Sequence, residues 1–267
     1  MRVIAIANQK GGVGKTTTTI NLAASLASLG KSVLMLDMDP QGNSSTGLGI
    51  RPKSRDISTY DVMMGDATMD AAMVQTIVPG VMLVPGDIDL SAVELEIGAS
   101  EGRTLRLKTA LSEMSHKYDY VFIDCPPSLN LLTINALAAA NSVLVPLQCE
   151  FFALEGLSQL LKTVEMAKAN LNPDMIVEGV MLTMYDRRNR LSRQVARDVR
   201  DHLGRAVFKT LIPRNVRIAE APSFGRPVIM YDPRSTGAQA YLALAEELLA
   251  RHGHNFGGKD QARTEMV

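Results

Sequence analysis

The sequence lacks tryptophan, has only two cysteines among 267 residues, and is poor in aromatic side chains, at 4%. Cys125 and Cys149 are too few for a disulfide framework or a thiolate metal site within one chain, and they fit a reducing, intracellular compartment. No apolar stretch approaches the roughly 20 residues that span a bilayer. The short apolar run from Val3 to Ala7 is also too short for a secretory signal. We therefore expect a cytoplasmic protein without membrane attachment.

An excess of charge of either sign is also missing, since 28 basic residues balance 28 acidic ones. The molecule as a whole is therefore not a polycation that wraps nucleic acid, and any such role requires local clustering of basic side chains. With 46% hydrophobic residues, the chain can build one sizeable core. We expect a single domain over residues 1–251, followed by a flexible C-terminal tail over residues 252–267.

Short apolar runs alternate with longer segments of helical periodicity, which predicts an α/β fold with one doubly wound, mostly parallel sheet and helices on both faces. Strands buried on both sides are expected to be continuously apolar, as most of these runs are. The predicted strands begin at Val3, Val33, Val81, Tyr120, Ser142 and Ile176. The predicted helices cover residues 16–28, 105–117, 131–140, 154–169, 191–203 and 237–251. Residues 49–79 show weak periodicity, and their structure is left open.

A glycine-rich segment, ANQKGGVGKTTTT, follows the first predicted strand and opens the first predicted helix. In that context the glycines Gly11, Gly12 and Gly14 let the backbone turn tightly and direct its N–H groups at phosphate oxygens, while the helix N-terminus adds partial positive charge. Lys15 is expected to contact the β- and γ-phosphates, and the Thr16 hydroxyl to ligate Mg²⁺. The alternative is a glycine turn whose lysine faces solvent.

Acidic side chains follow two of the apolar runs. Asp37 and Asp39 end the second run in LMLDMDPQGN, and Asp124 ends the run YVFID. An aspartate that closes an apolar strand is costly unless a cation or hydrogen-bond donors compensate its charge. Nucleotide hydrolysis needs such acidic groups at the carboxyl ends of neighbouring strands, to hold magnesium and to orient water. The alternative for each aspartate is a strand-end cap without an ion.

The string KGGVGKTT departs from the standard phosphate-loop pattern in two ways. Gln9 replaces the first glycine of the pattern, and a second lysine, Lys10, directly precedes Gly11. The string resembles the deviant Walker A motif of the P-loop family that includes the ParA/Soj partition ATPases, MinD and the nitrogenase iron protein. The resemblance implies ATP and Mg²⁺ as ligands, and a homodimer with ATP sandwiched between its subunits. Lys10 would reach the nucleotide held by the partner subunit.

The resemblance also assigns roles to the acidic residues. Asp124 would hold the magnesium shell, Asp39 would orient or deprotonate the attacking water, and Asp37 would support them. The Pro126-Pro127 pair that follows matches the second switch of the family. The implied catalytic residues are Lys10, Lys15, Asp39 and Asp124, and the implied metal-binding residues are Thr16 and Asp124.

Two further segments resemble the family. QCEFFALEG makes Glu150 a second contact across the dimer, and IPRNVR places Pro213 against the adenine ring with Asn215 as its hydrogen-bonding partner. A plain loop cap is the alternative for IPRNVR. The implied ATP-binding residues are Lys10, Gly11, Gly12, Val13, Gly14, Lys15, Thr16, Thr17, Glu150, Pro213 and Asn215.

Basic residues cluster between positions 186 and 217, where nine arginines and one lysine accompany only three aspartates. Such an excess of one sign in a neutral chain is expected of a polyanion site, and a solvated charged face is the alternative. Within the predicted helix, arginines fall on one side and Val195, Val199 and Leu203 on the other. No base-reading pattern accompanies them, which favours non-specific contact with double-stranded DNA. The predicted DNA-binding residues are Arg187, Arg188, Arg190, Arg193, Arg197 and Arg217.

The resemblance extends from Arg2 to about Ala250 and favours the chromosomal ParA/Soj branch. The cysteines do not match those of metal-cluster carriers, and the C-terminal sequence HNFGGKDQARTEMV has no apolar stripe of the MinD type. The family implies a weak, nucleoid-associated ATPase that segregates chromosomes or plasmids and is stimulated by a ParB-type centromere-binding protein. The alternatives are a MinD-like membrane-positioning ATPase, a nucleotide sensor without turnover, and a ParA-like ATPase that positions another cargo.

Overall fold

A computed structural model of the chain describes residues 1–151 and 153–253, which form one eight-stranded sheet with helices on both faces. The strands are β1 (Arg2–Ile6), β2 (Val33–Asp37), β3 (Val74–Gln75), β4 (Val81–Val84), β5 (Tyr120–Asp124), β6 (Ser142–Gln148), β7 (Ile176–Tyr185) and β8 (Val207–Pro213). Their order in the sheet is β3-β4-β2-β5-β1-β6-β7-β8. The predicted tail lies outside the described residues, apart from His252 and Gly253.

Neighbouring strands are parallel except β3 and β4, which pair antiparallel at one edge. Because helices cover both faces, the central strands bury side chains on both sides and are apolar almost throughout. In β1, for example, Val3 and Ala5 join the core on one face, whereas Ile4 and Ile6 join the core on the other. The predicted doubly wound, mostly parallel α/β fold is confirmed.

The helices form the two outer layers. They are α1 (Lys15–Ser28), α2 (Asn43–Gly47), α3 (Thr59–Met64), α4 (Met69–Ala72), α5 (Val93–Ile97), α6 (Arg106–Glu113), α7 (Leu131–Ala139), α8 (Ala153–Asn170), α9 (Arg190–Leu203), α10 (Val216–Glu220), α11 (Val228–Tyr231) and α12 (Thr236–Arg251). Helices α1 and α12 pack on one face of the sheet, and α3 to α9 pack on the other. In the part of the chain that the structure describes, none of these helices is long and apolar enough to cross a membrane.

The six predicted helices are present, and five have ends within one residue of the prediction. The exception is α6, which ends at Glu113 rather than at residue 117. Met114 takes up an extended conformation that buries its side chain, and the N–H of Ser115 then donates to the carboxylate of Asp70 (2.9 Å). Burial of one apolar side chain thus ends the helix earlier than its periodicity indicates.

The sequence did not predict β8, the elements within residues 49–79, or the short helices α2, α5, α10 and α11. Strand β8 was missed because it is an edge strand whose residues Lys209 and Thr210 make the segment look polar. Its outward N–H groups are not left open, because the carboxylate of Glu247 accepts from the N–H of Lys209 (2.8 Å) and of Thr210 (2.9 Å). Residues 49–79, which were left open, contain short elements: α3, α4, β3 and a 3₁₀ turn at Pro52–Ser54.

The parallel arrangement brings seven strand ends to one edge of the sheet. All strands except β3 end there, and the ends of β1, β2, β4, β5, β6, β7 and β8 are Ile6, Asp37, Val84, Asp124, Gln148, Tyr185 and Pro213. Ligands of open α/β sheets bind at this carboxyl edge, where the loops that follow the strands diverge. The candidate site residues are carried by these loops.

Candidate functional site

The loop between β1 and α1 carries the predicted phosphate-binding residues, and its shape is fixed by neighbouring strands. The Asn8 side chain donates to the carbonyl oxygen of Pro146 (2.7 Å) and accepts from the N–H of Lys10 (3.0 Å). From β7, the Thr183 hydroxyl donates to the carbonyl oxygen of Val13 (2.8 Å). These three hydrogen bonds hold the loop through carbonyl oxygens and the Lys10 N–H, and none of them involves the N–H group of a glycine.

Gly14 forms the junction between this loop and α1. Its φ of 92° lies in the left-handed region that favours glycine. Helix α1 begins at Lys15 without a side-chain cap and without an acidic residue in its first turn. The first N–H groups of the helix are therefore available to a ligand, and the helix dipole favours a negative one.

Lys15 is the most buried cation of the site, at 7% exposure. Burial lowers the pKa of Lys15, and the nearby carboxylate of Asp124 opposes that effect. Its ammonium donates to the carbonyl oxygen of Lys10 (3.2 Å), and among the described residues no carboxylate lies within ion-pair distance of it. It borders a cavity of about 350 Å³ that Asp39 and Pro127 also line. A buried cation without an ion pair favours an anionic ligand in this cavity.

Asp37 and Asp124 lie side by side, because β2 and β5 are adjacent parallel strands that pair these two residues in register. Both are 0% exposed. Asp37 accepts hydrogen bonds from the N–H and the hydroxyl of Ser45 (2.9 and 2.7 Å). Asp124 accepts from the hydroxyls of Ser44 (2.6 Å) and Thr19 (3.3 Å). The two carboxylates are thus hydrogen-bonded but not neutralised.

The electrostatics of this acidic pair indicate a cation site. Burial raises the pKa of Asp37 to about 6, against the hydrogen bonds from Ser45 that lower it. Burial and then the charge of Asp37 raise the pKa of Asp124 to about 7, against hydrogen bonds from Ser44 and Thr16. A divalent cation beside the two carboxylates would offset the cost of their burial and their mutual repulsion, so the residues fit magnesium. Within the described residues no three acidic, histidine or cysteine side chains converge on one point.

Asp39 lies at the phosphate cavity on a rigid loop and is 8% exposed. Its N–H donates to the Asp37 carboxylate (3.3 Å), and its own carboxylate accepts from the N–H of Gln41 (3.0 Å). The loop packs against Gly86, where a Cβ would lie 2.6 Å from the carbonyl oxygen of Asp37. This close approach requires glycine and holds the Asp39 carboxylate beside the cavity.

Lys10 and Glu150, both predicted to contact the nucleotide of a partner subunit, form an ion pair with each other in this single chain. Each side chain is partly exposed to solvent. Lys10 is therefore not directed into its own phosphate cavity, which already contains Lys15. The structure brings together two residues that lie 140 positions apart and that the sequence analysis had grouped only by resemblance.

A second, largely apolar cavity of about 360 Å³ adjoins the first, and both are lined by Gly14 and Thr17. Pro213 and Asn215 line it as well. The Asn215 carboxamide, however, caps α10: its oxygen accepts from the N–H of Arg217 (2.8 Å), and its nitrogen donates to another side chain. The cap that was the alternative for this segment is present, and contact of Asn215 with adenine remains a prediction.

The arginines of α9 lie on an exposed helix face. Arg190, Arg193 and Arg197 are exposed, whereas Val195 and Val199 are buried against the sheet. The amphipathic division predicted for this helix is confirmed. Among the described residues, none of the three arginines has an ion-pair partner within 4 Å.

The arginines that flank α9 differ from one another in their ion pairing. Arg187 is exposed and unpaired in the described part of the chain, but Arg188 pairs with Asp186 (3.2 Å). Arg217 pairs with Glu220 (2.8 Å) and also contacts a second acid, Asp232, at 3.4 Å. Exposed ion pairs are weak, so these arginines remain accessible, but they carry less uncompensated charge than the face of α9.

Sequence reasoning missed the hydroxyl groups that hold the acidic pair. Ser44 and Ser45 lie directly after DMDPQGN, and Thr19 lies one helical turn beyond Lys15. Consecutive hydroxyl residues after an acidic loop were a signal that could have identified them. Both cysteines are buried and free, as expected, and burial raises the pKa of the Cys149 thiol to about 11.

Comparison with known proteins agrees with this geometry. Residues 1–177 match a family model, AAA_31, described as an AAA domain. The chain is 58% identical over 253 residues to the chromosome partitioning protein ParA of Caulobacter vibrioides, covering 94% of this chain and 95% of that protein. It is 52% identical over 249 residues to the sporulation initiation inhibitor protein Soj of Bacillus subtilis, covering 93% and 98%.

Among solved structures, the fold matches a cobyrinic acid a,c-diamide synthase from Mycobacterium smegmatis that was crystallised with ADP and magnesium. The TM-score is 0.83 at 40% identity, covering 95% of this chain and 96% of that one. A phosphate loop that follows a central strand of a parallel sheet and leads into a helix defines the class of P-loop nucleotide-binding proteins. The ParA and Soj relatives are similar to this chain over almost its whole length, which narrows the assignment from this class to one family. The chain belongs to the ParA/Soj family of chromosome-partitioning ATPases.

The acidic pair predicts a pH-dependent stability. The unfolded chain releases the Asp37 proton at a lower pH than the folded protein does, so ionised Asp37 destabilises the nucleotide-free protein as the pH rises through about 6. Asp37→Asn should therefore raise the free energy of unfolding by on the order of 2 kcal/mol at about pH 8, and by little at about pH 4. Urea unfolding of both proteins without nucleotide measures the difference. The exposed Asp56→Asn is the control, and an equal gain at both pH values would contradict the prediction.

Proposed function

We propose that this protein is an ATP-dependent dimerising switch that binds double-stranded DNA non-specifically and hydrolyses ATP to drive the segregation of chromosomes, or plasmids, with a ParB-type partner. The observation that carries the proposal is the buried, unpaired Lys15 at the start of α1, in one cavity with Asp39. Relatives named for chromosome partitioning support it.

In this proposal the phosphate loop binds the triphosphate. The N–H groups from Gly11 to Thr17 surround the phosphates, and Lys15 balances the charge of the β- and γ-phosphates. Thr16 and Asp124 would hold the magnesium ion, which supplies positive charge to the phosphate oxygens when bound. Pro213 would pack on the adenine in the adjoining apolar cavity.

Asp39 is the residue that we propose to act on the attacking water. Its carboxylate lines the phosphate cavity and is held by the N–H of Gln41. Asp37 and Asp124 are deeper, fully buried and engaged by serine and threonine hydroxyls. Asp39 is therefore the acid of this edge that is free to orient a water molecule.

Asp39→Ala should bind ATP and dimerise but hydrolyse ATP at least about 100-fold more slowly, because general-base and positioning groups typically contribute that much. Single-turnover hydrolysis with labelled ATP measures the rate, and a fluorescent ATP analogue measures binding. Asp56→Ala, at an exposed aspartate, is the matched control. Wild-type turnover by the Asp39 variant would remove this residue from the mechanism.

Dimerisation, in this proposal, exchanges the partners of Lys10 and Glu150. Within one chain the two side chains neutralise each other near the phosphate cavity. When two subunits meet face to face across their nucleotides, each lysine would leave its glutamate for the triphosphate of the other subunit. Glu150 would then be available to contact the partner's nucleotide or loop.

Lys10→Ala should bind ATP yet remain monomeric. Each dimer would lose two charge-assisted contacts to phosphate, each worth about 1.5–3 kcal/mol, so the dimer dissociation constant should rise at least about 100-fold. Light scattering coupled to size exclusion, with a non-hydrolysable ATP analogue, measures the dimer. Lys53→Ala removes an exposed lysine elsewhere and should dimerise normally. An ATP-dependent Lys10→Ala dimer of wild-type stability would refute the proposed exchange.

The proposed DNA-binding surface is the exposed face of α9 with its flanking arginines. Its positive charges are largely uncompensated, and the helix presents no base-reading pattern, so contacts to DNA phosphates are expected. In a dimer, two such faces would act on one duplex, which makes DNA binding depend on ATP. Arg187, Arg188 and Arg217 would contribute at the ends of this surface.

Arg190→Glu combined with Arg193→Glu should abolish ATP-dependent DNA binding without loss of ATP hydrolysis. Fluorescence anisotropy on random-sequence duplexes, measured over a range of salt concentrations, is the assay. In the milder Arg190→Ala variant the log–log salt slope should fall by about 0.9 for each lost phosphate contact. Lys53→Glu with Lys108→Glu is the charge-matched control. An unchanged slope would place the DNA site elsewhere, and ATP-dependent binding to anionic liposomes instead of DNA would favour the MinD-like alternative.

The remaining parts of the proposal concern context. We propose that residues 1–251 form the ATPase domain, that turnover is weak until a ParB-type partner stimulates it, and that the protein associates with the nucleoid in the cytoplasm. Purified ParB-type protein added to the hydrolysis assay, with and without DNA, tests the stimulation directly.

A further inference from the structure

Met184, near the end of β7, has an unusual backbone conformation. Among the described residues it is the only one other than glycine with a positive φ, at 50°. A left-handed conformation costs a side-chain-bearing residue about 1–2 kcal/mol, so it persists only where its surroundings hold it. Such residues concentrate at functional sites, and Met184 was not among the predicted site residues.

The neighbours of Met184 hold this conformation on both sides. Before it, the Thr183 hydroxyl is bonded to the phosphate loop at Val13 (2.8 Å). After it, the carbonyl oxygen of Tyr185 accepts from the N–H of Arg214 (3.1 Å). The pairing of β7 with β8 also shifts register between Leu182 and Tyr185. The strand end is therefore clamped between the phosphate loop and the segment that carries the apolar cavity.

Met184 lines three neighbouring cavities. It lines the phosphate cavity with Lys15 and the apolar cavity with Pro213. It also lines a third cavity, of about 250 Å³, with Glu150 and Asn189. Of the described residues that line these cavities, Met184 alone is common to all three. A ligand in either of the first two cavities would therefore lie against a residue that also lines the third.

The third cavity lies beneath the start of α9. Asn189 caps this helix through the N–H groups of Leu191 (2.9 Å) and Ser192 (3.4 Å). The N–H of Asp186, two residues after Met184, donates to the Ser192 hydroxyl (3.2 Å). A displacement at Met184 therefore reaches the first turn of α9, and with it Arg190, through two residues of backbone and one hydrogen bond.

We propose that Met184 is the positioning residue that couples nucleotide occupancy to the orientation of the arginine face of α9. Contact with the bound nucleotide shifts its side chain, and the strained backbone passes that shift to the start of α9. The inference rests on the proposed function, since it concerns how ATP controls the DNA-binding surface. It assigns no chemical role to the methionine.

The test compares Met184→Ala, Met184→Gly and Met184→Leu with the wild type. The measured quantity is the coupling factor, which is the DNA dissociation constant without nucleotide divided by that at saturating ATP. Saturation keeps any change in ATP affinity out of this ratio. Alanine removes the side chain and glycine also removes the strain, so both should lower the coupling factor at least tenfold. Leucine keeps the volume and should keep the factor within about twofold.

Met166→Ala, at an exposed methionine of α8, is the control for loss of a methionine side chain. A merely structural role would lower thermal stability in all three Met184 variants without separating leucine from alanine. A wild-type coupling factor in Met184→Ala would overturn the inference.

Hydrogen exchange gives a readout that does not depend on DNA. In the Lys10→Ala background, which keeps the partner subunit away, Mg-ATP should change exchange across residues 186–193, and Met184→Ala should remove that change. No ATP-dependent change in this segment would overturn the inference, whatever DNA binding shows. If the change occurs but the wild type binds no DNA, the proposed function fails while the coupling role of Met184 stands.

Discussion

The burial of charge at the carboxyl edge of the sheet is the constraint on which the site depends. Lys15, Asp37 and Asp124 are each less than a tenth exposed, although transfer of an ion from water into a protein interior costs several kcal/mol even after relaxation. Hydroxyl groups and mutual attraction offset only part of this cost, as the altered pKa values of all three residues indicate. The cationic and anionic groups are separate, so a ligand with phosphate and a divalent cation satisfies both.

This arrangement makes the nucleotide a structural element of the site. The phosphate loop, the Asp39 loop and the end of β7 converge on one cavity, and the Thr183 hydroxyl at the end of β7 is hydrogen-bonded to the phosphate loop. A ligand that binds only the folded, converged arrangement stabilises it by mass action. It also selects among the conformations of these loops, and α9 follows directly after one of them.

The sequence predicted those parts of the molecule in which the local pattern and the final environment agree. The central strands are apolar because they are buried on both sides. The phosphate loop is recognisable because its tight backbone turns require glycine. Strand β8 was missed because its polar residues suit an edge whose backbone groups are bonded by Glu247, far along the chain. Only the fold reveals that partner.

The same reason explains what was missed in the site. The Lys10–Glu150 pair and the shared position of Met184 between cavities arise from contacts between distant segments. Met184 gives no signal in the sequence, because the residue type that normally marks a left-handed conformation is glycine. By contrast, the hydroxyls that hold Asp37 and Asp124 follow the acidic loop closely and were open to prediction.

The weakness of the Lys10–Glu150 pair suits it to the exchange of partners that we propose. An exposed ion pair contributes about 0–1 kcal/mol, because water solvates both partners almost as well when they are apart. Lys15, by contrast, is buried at the phosphate cavity of its own subunit, where none of the described carboxylates pairs with it. In the proposed cycle of dimerisation and separation, the buried lysine would keep the nucleotide in its own subunit, and the partly exposed lysine would change partners at little cost. The two lysines of the motif KGGVGKTT differ in this physical respect, although they are five residues apart in the same loop.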